Sequence, residues 1–146
     1  MTLFVSIVTE ERLRVRYGET DMMGHAYYAN YLLWFEQARG AWCRDRGFTY
    51  KGLEDLGFKL PVVEIWARYK GEVKYDDWIT IRVWVEERKR AAIKFTYEIL
   101  NESTNNVVTE GYSLHVFVGS TMRAVTIPEE IKKMLDRNPA EWERLL

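Results

Sequence analysis

Between Tyr27 and Arg46 the chain carries Tyr28, Tyr31, Phe35, Ala38 and Trp42 at helical spacing. Leu32, Leu33 and Trp34 widen that stripe until only a narrow polar track through Asn30, Gln37 and Arg44 is left. A helix so apolar needs cover on most of its sides, and that need dictates the rest of the fold. Gly47 follows Arg44-Asp45-Arg46 and predicts where the helix stops, with cations at the negative end of its dipole. A short helical turn is predicted over 51–56.

The cover must come from strands. Alternation predicts a first strand in which Leu13, Val15 and Tyr17 share one face and Arg12, Arg14 and Arg16 the other. Farther on, the sets Val63/Ile65/Ala67/Tyr69, Ile79/Ile81/Val83/Val85, Ile93/Phe95/Tyr97/Ile99 and Tyr112/Leu114/Val116/Val118 each occupy one face of a strand. Turn residues separate these runs. A last short strand is expected over 122–127, and Pro128-Glu129-Glu130 opens a C-terminal helix. One helix that needs cover and one long antiparallel sheet with a face to bury predict an α+β domain, a curved sheet wrapped around a central helix. Such a sheet has exposed edges and an outer face bearing Trp66 and Trp84, so pairing with a second copy is expected, as a homodimer or a homotetramer.

Composition narrows the function. The 146 residues suit a single domain spanning 1–146. With 21 Lys+Arg against 22 Asp+Glu the net charge is −1, and no basic stripe marks a nucleic-acid-binding surface. The single cysteine, Cys43, excludes an internal disulfide, and its place in the apolar helix predicts a buried small hydrophobe rather than a nucleophile. The first eight residues lack a basic leader, and no apolar run approaches ~20 residues, so a cytoplasmic protein without membrane insertion is expected. Two histidines and one cysteine without ligand-like spacing predict no metal site.

The segment Arg16-Tyr17-Gly18-Glu19-Thr20-Asp21-Met22-Met23-Gly24-His25-Ala26-Tyr27-Tyr28-Ala29-Asn30-Tyr31, followed by Trp34-Phe35-Glu36-Gln37-Ala38-Arg39, resembles a known signature. It is that of the hot-dog thioesterases of the 4-hydroxybenzoyl-CoA thioesterase and acyl-CoA thioester hydrolase family. The resemblance runs through the later strands to Arg123-Ala124-Val125-Thr126-Ile127-Pro128. It implies the hot-dog fold and hydrolysis of acyl-CoA, with no cofactor beyond the coenzyme A of the substrate. It also makes Asp21 the catalytic carboxylate and the backbone N–H of Tyr28 the group that polarises the thioester carbonyl. The chemistry agrees, because a helix start offers free N–H groups to a developing oxyanion while favouring a nearby carboxylate.

The resemblance also gives Gly24 a role in letting the backbone pass close to substrate. It assigns contacts with the coenzyme A phosphates to Arg88, Lys89, Arg90 and Arg123, work suited to charge-assisted pairing. For His25, orienting substrate, bonding Asp21 or shuttling a proton stands against a cap or packing role. Tyr17 and Tyr27 are expected as pocket or packing residues, His115 as a structural or interface residue, and Glu36 as a buried partner for Arg39. Two alternatives remain at this level: an enoyl-CoA hydratase-like enzyme, and a non-catalytic acyl-CoA-binding protein of the same fold.

Overall fold

A computed structural model describes residues 7–137; the first six residues and Pro139 lie outside them. The elements run β1 (Thr9–Arg14), a 3-10 turn (Tyr17–Glu19), α1 (Asn30–Asp45), α2 (Tyr50–Asp55), β2 (Val62–Tyr69), β3 (Trp78–Arg88), β4 (Ala92–Asn101), β5 (Asn106–Val116) and α3 (Glu129–Leu135). The strands form one antiparallel sheet in the order β1-β3-β4-β5-β2, the α+β, hot-dog arrangement with α1 against the concave face. On β3 and β4 every second residue is buried, and the inward sets are the expected Ile79/Ile81/Val83/Val85 and Ile93/Phe95/Tyr97/Ile99.

Helix α1 buries Tyr31, Trp34, Phe35, Ala38, Arg39, Trp42 and Cys43. It ends as expected. Gly47, at φ 83°, donates its N–H to Arg44 C=O, and Phe48 N–H reaches back to Cys43 C=O, so the last carbonyls are satisfied as the chain turns. Phe48 then packs edge-on against Trp42.

Three expectations are corrected. Strand β1 ends at Arg14, so Tyr17 lies in the 3-10 turn, exposed and edge-on to Tyr75 rather than inward. On β5 the inward face is Thr109, Gly111, Ser113 and His115, while Tyr112, Leu114 and Val116 face outward. Gly111 permits this inward face: a Cβ there would stand 2.6 Å from Phe35 Cε2 and 2.6 Å from Trp66 O, so glycine lets α1 seat on the sheet. Of the polar inward residues, Ser113 and His115 are satisfied by a buried chain in which Arg39 donates to the Tyr50 and Tyr97 hydroxyls, Tyr97 bonds Ser113, and Ser113 bonds His115, while the Thr109 hydroxyl has no partner among the described residues. Finally, the strand expected over 122–127 shrinks to one bridge between Val118 and Ala124, and Met122, its expected first residue, adopts φ 61° within the preceding turn.

Candidate active site

The loop between β1 and α1 is held by a buried carboxylate. Glu19 is 6% exposed; its Oε1 accepts the Arg16 N–H at 2.7 Å and its Oε2 accepts the Trp34 indole N–H at 2.7 Å. Burial pushes the Glu19 carboxyl up, but the bonds from the Arg16 N–H, the Arg16 guanidinium and Trp34 outweigh it and hold it below the usual range. The Glu19 carbonyl in turn accepts the Tyr27 N–H at 2.8 Å and the Asn30 side-chain amide at 2.7 Å. One residue thus ties the loop to the start of α1.

Within that frame Thr20 and Ala26 form a bridge, and the segment between them folds into a tight turn. Asp21 N–H donates to His25 C=O and Gly24 N–H to Asp21 C=O, each at 3.0 Å, with Gly24 at φ 84°. Asp21 Oδ1 accepts the Met23 N–H at 2.9 Å, and Oδ2 has no hydrogen bond among the described residues. The Ala29 side chain cannot cap α1, and the first bonds of the helix are of the i to i+3 kind. The Tyr28 N–H therefore has no acceptor among the described residues.

Asp21 and Tyr28 line the same cavity, of about 500 Å³, together with Met23, His25, Tyr31 and Tyr69. Burial pushes the Tyr31 hydroxyl up to about 12, against a lowering bond with the Val73 backbone, and the charges of Tyr69, Glu72 and Asp21 add to the rise. His25 lies in this cavity but turns its Nδ1 to Ala26 C=O at 3.2 Å and its Nε2 towards Glu72 at 3.9 Å, not to Asp21. Gly24 and Tyr27 flank the cavity without lining it; Tyr27 packs on Tyr28 with ring centroids 4.5 Å apart. Tyr17 is outside it as well.

The basic residues lie elsewhere. Arg88, Lys89 and Arg90 form the β3–β4 turn, where Arg88 pairs with Asp136, Lys89 with Glu87 at 3.6 Å, and Arg90 with the Thr126 hydroxyl at 2.7 Å. Arg123 is exposed near them, its carbonyl bonded to Gly119 N–H. The cavity sits at the opposite end of the sheet: the seven steps from Ile81, level with Tyr69, to Arg88 span ~23 Å at ~3.3 Å per residue. Glu36 is exposed on the outer side of α1 and Arg39 bonds tyrosines, so the expected buried pair does not form. His115 is fully buried, bonded to Ser113 and to Leu60 C=O, as a structural residue. Cys43 is buried too, and burial pushes its thiol up to about 12, which leaves it unreactive.

Glu19, Tyr31 and Tyr69 are site residues that the sequence reading did not single out. Glu19 lay inside the quoted segment, two residues before Asp21, but its partner Trp34 is fifteen residues on and only the fold joins them. Among the described residues no group of three or more His, Cys, Asp or Glu is placed to hold a metal ion, and no helix is long and apolar enough to cross a membrane.

Known proteins are similar to this chain in sequence and fold. The family model of the Thioesterase-like superfamily matches residues 15–135. An acyl-CoA thioesterase of Haemophilus influenzae, YbgC, is 31% identical over 123 residues, covering 82% of this chain and 88% of that protein. The crystal structure of a DHNA-CoA thioesterase from Staphylococcus aureus superposes with a TM-score of 0.78 at 30% identity, over 94% of this chain and 87% of that one. That of a hypothetical protein from Aquifex aeolicus does so with a TM-score of 0.82 at 31% identity, over 87% of this chain and 98% of that one. A match that begins at Val15, takes in the Glu19–Asp21 turn and four of the five strands, β2 to β5, and ends in α3 leaves one assignment: the chain belongs to the thioesterase-like superfamily of hot-dog thioester hydrolases.

Proposed function

We propose that this thioesterase hydrolyses acyl-CoA, with Asp21 acting on the acyl carbon and the Tyr28 N–H stabilising the oxyanion. The observation that carries this reading is one cavity lined by a carboxylate oxygen and by a backbone N–H that have no hydrogen-bond partner among the described residues. Water, activated by Asp21 or adding after Asp21 attacks, supplies the oxygen; the C–S bond breaks, and the proton goes to the departing thiolate. An N–H donor aimed at the oxyanion is worth ~10²–10³ in rate. The reaction needs no cofactor of its own. The names of the YbgC relative and of the Staphylococcus aureus enzyme support coenzyme A as the carrier of the acyl group.

A second copy completes the site in this reading. Strand β2 is an open edge, and Val62, Val63, Ile65 and Trp66 on it are each at least 40% exposed, a surface that invites pairing with another β2. Antiparallel pairing of two such edges sets the Tyr69 end of one copy beside the Val62 end of the other. The Val62 end lies level with Arg88, close to Arg90 and Arg123. The basic turn of one protomer then reaches the coenzyme A phosphates at its partner's cavity.

The test is thiol release from a panel of short, medium, long and aromatic acyl-CoAs by Asp21→Asn and Asp21→Ala. Each lowers kcat by at least ~10²-fold while binding persists. Turnover at the wild-type rate by a folded variant overturns the assignment of Asp21, whereas wild-type protein that binds these esters and releases no thiol is a binding protein in which the cavity holds the ester without cleaving it.

A further inference from the structure

The oxyanion donor assigned above is a peptide group, and a peptide N–H is only as well aimed as the residues on either side of it. On one side the aim is fixed. Tyr27 N–H is held by Glu19 C=O at 2.8 Å, and Tyr27 C=O accepts the Asn30 N–H at 3.0 Å. The Tyr27–Tyr28 peptide is planar and trans, so a carbonyl bonded into the helix leaves the Tyr28 N–H pointing away from it. On the other side the helix supplies little. Ala29 offers no capping side chain, and Tyr28 C=O receives only a long bond from the Tyr31 N–H, at 3.3 Å. The Tyr28 side chain is 60% exposed and does not anchor its own backbone.

The missing support comes from across the cavity. The Tyr69 hydroxyl, at the end of β2, donates to Tyr28 C=O at 2.9 Å. The Tyr69 ring stands edge-on to Tyr31, with centroids 5.0 Å apart, and to Tyr28 at 6.4 Å, so the hydroxyl has a fixed approach. Burial, and then the neighbouring Tyr28, raise the Tyr69 hydroxyl above its ordinary range, which keeps it a donor at any physiological pH. We propose that Tyr69 is a positioning residue for thioester hydrolysis: by gripping the Tyr28 carbonyl from the edge strand, its hydroxyl holds the Tyr28 N–H in line with the developing oxyanion. This rests on the oxyanion role given to Tyr28.

A purely structural bond would behave differently. Tyr69 is 42% exposed, so the loss of this one bond has little effect on stability. A small misalignment of a catalytic donor is felt much more in rate than in stability. Tyr69→Phe keeps the ring and removes the grip. With hexanoyl-CoA and benzoyl-CoA as probes, the variant lowers kcat about ten-fold and leaves KM within about two-fold of wild type, since the interaction serves the transition state. An unchanged kcat overturns the proposal. A KM that rises several-fold at constant kcat also overturns it, by making the hydroxyl a substrate contact.

Asp21→Asn run in parallel separates the two claims. If it retains turnover, the whole catalytic reading falls; if it is inactive while Tyr69→Phe is normal, only Tyr69 loses its role. The amide resonance of Tyr28 in nitrogen-15-labelled protein is a readout that needs no turnover. It shifts or broadens in Tyr69→Phe if the grip is real, and identical position and linewidth refute the grip.

Discussion

Two buried residues, both held below their ordinary titration range, set how the molecule responds to acid. Burial lowers the His115 imidazole to about 4 from an ordinary 6.5, the nearby Arg39 charge lowers it further, and the bond to Leu60 C=O opposes both. The folded protein therefore keeps His115 neutral where the unfolded chain takes up a proton, so stability is full above pH 6.5 and falls as the pH drops towards 4. The loss across that window is about 3 kcal/mol. Glu19, held below 4.5 when folded, contributes stability that is present above that value and lost at still lower pH. Urea titrations at pH 7, 5.5 and 4.5 on wild type and His115→Gln check this: the variant starts lower but loses less across the window. Equal slopes in the two proteins would mean that His115 does not govern it. Neither residue's position was legible beforehand. His115 was read as a structural or interface residue and is buried; Ser113 lies two residues before it on the same face of β5, but Leu60 C=O, its other partner, and Tyr97, which bonds Ser113, are brought there only by the fold.

Among the elements, α1 and the central strands were legible because their patterns are long and one-sided. The inward residues of β3 and β4 and the stop at Gly47 follow from spacing alone. Strand β5 misled because its outward Leu114 and Val116 look like core, whereas its inward face carries Gly111, Ser113 and His115. That inward face meets a space requirement at Gly111, and single-sequence periodicity does not register the size of a hole. That requirement is testable. Gly111→Ala drives a methyl into Phe35, whose ring is stacked on Tyr97 at 4.3 Å, and into the Trp66 carbonyl. Rigid backbone on one side leaves no easy relief, so the substitution lowers stability by about 2–3 kcal/mol, as overpacking does. It also disturbs α1 and with it the cavity. Thermal melts together with kcat measure both effects. A melting temperature within about a degree of wild type would show that the sheet and helix can part at this point at no cost.

At the scale of the whole molecule the proposed catalytic groups and the basic groups are at opposite ends of one sheet. The motif suggested Asp21, Tyr28, Arg88, Lys89, Arg90 and Arg123 together, since a line of sequence carries no information about which end of a strand each turn occupies. Within a single chain the basic turn is ~23 Å along the sheet from the level of the cavity, so a substrate held at Asp21 meets it only by stretching its coenzyme A arm along the sheet. Antiparallel pairing of two β2 edges removes that need, and it predicts a specific complementation. Asp21→Asn protomers lack the carboxylate but keep the basic turn, while Lys89→Ala/Arg90→Ala protomers have the reverse defect. After unfolding and co-refolding at equal ratio, half of the dimers are mixed, and each mixed dimer has one site whose carboxylate and basic turn are both intact. At substrate well below KM the mixture recovers about a quarter of wild-type activity, more than the mean of the two parents. If each chain served its own site, every mixed dimer would hold two defective sites, and co-refolding would return only that mean.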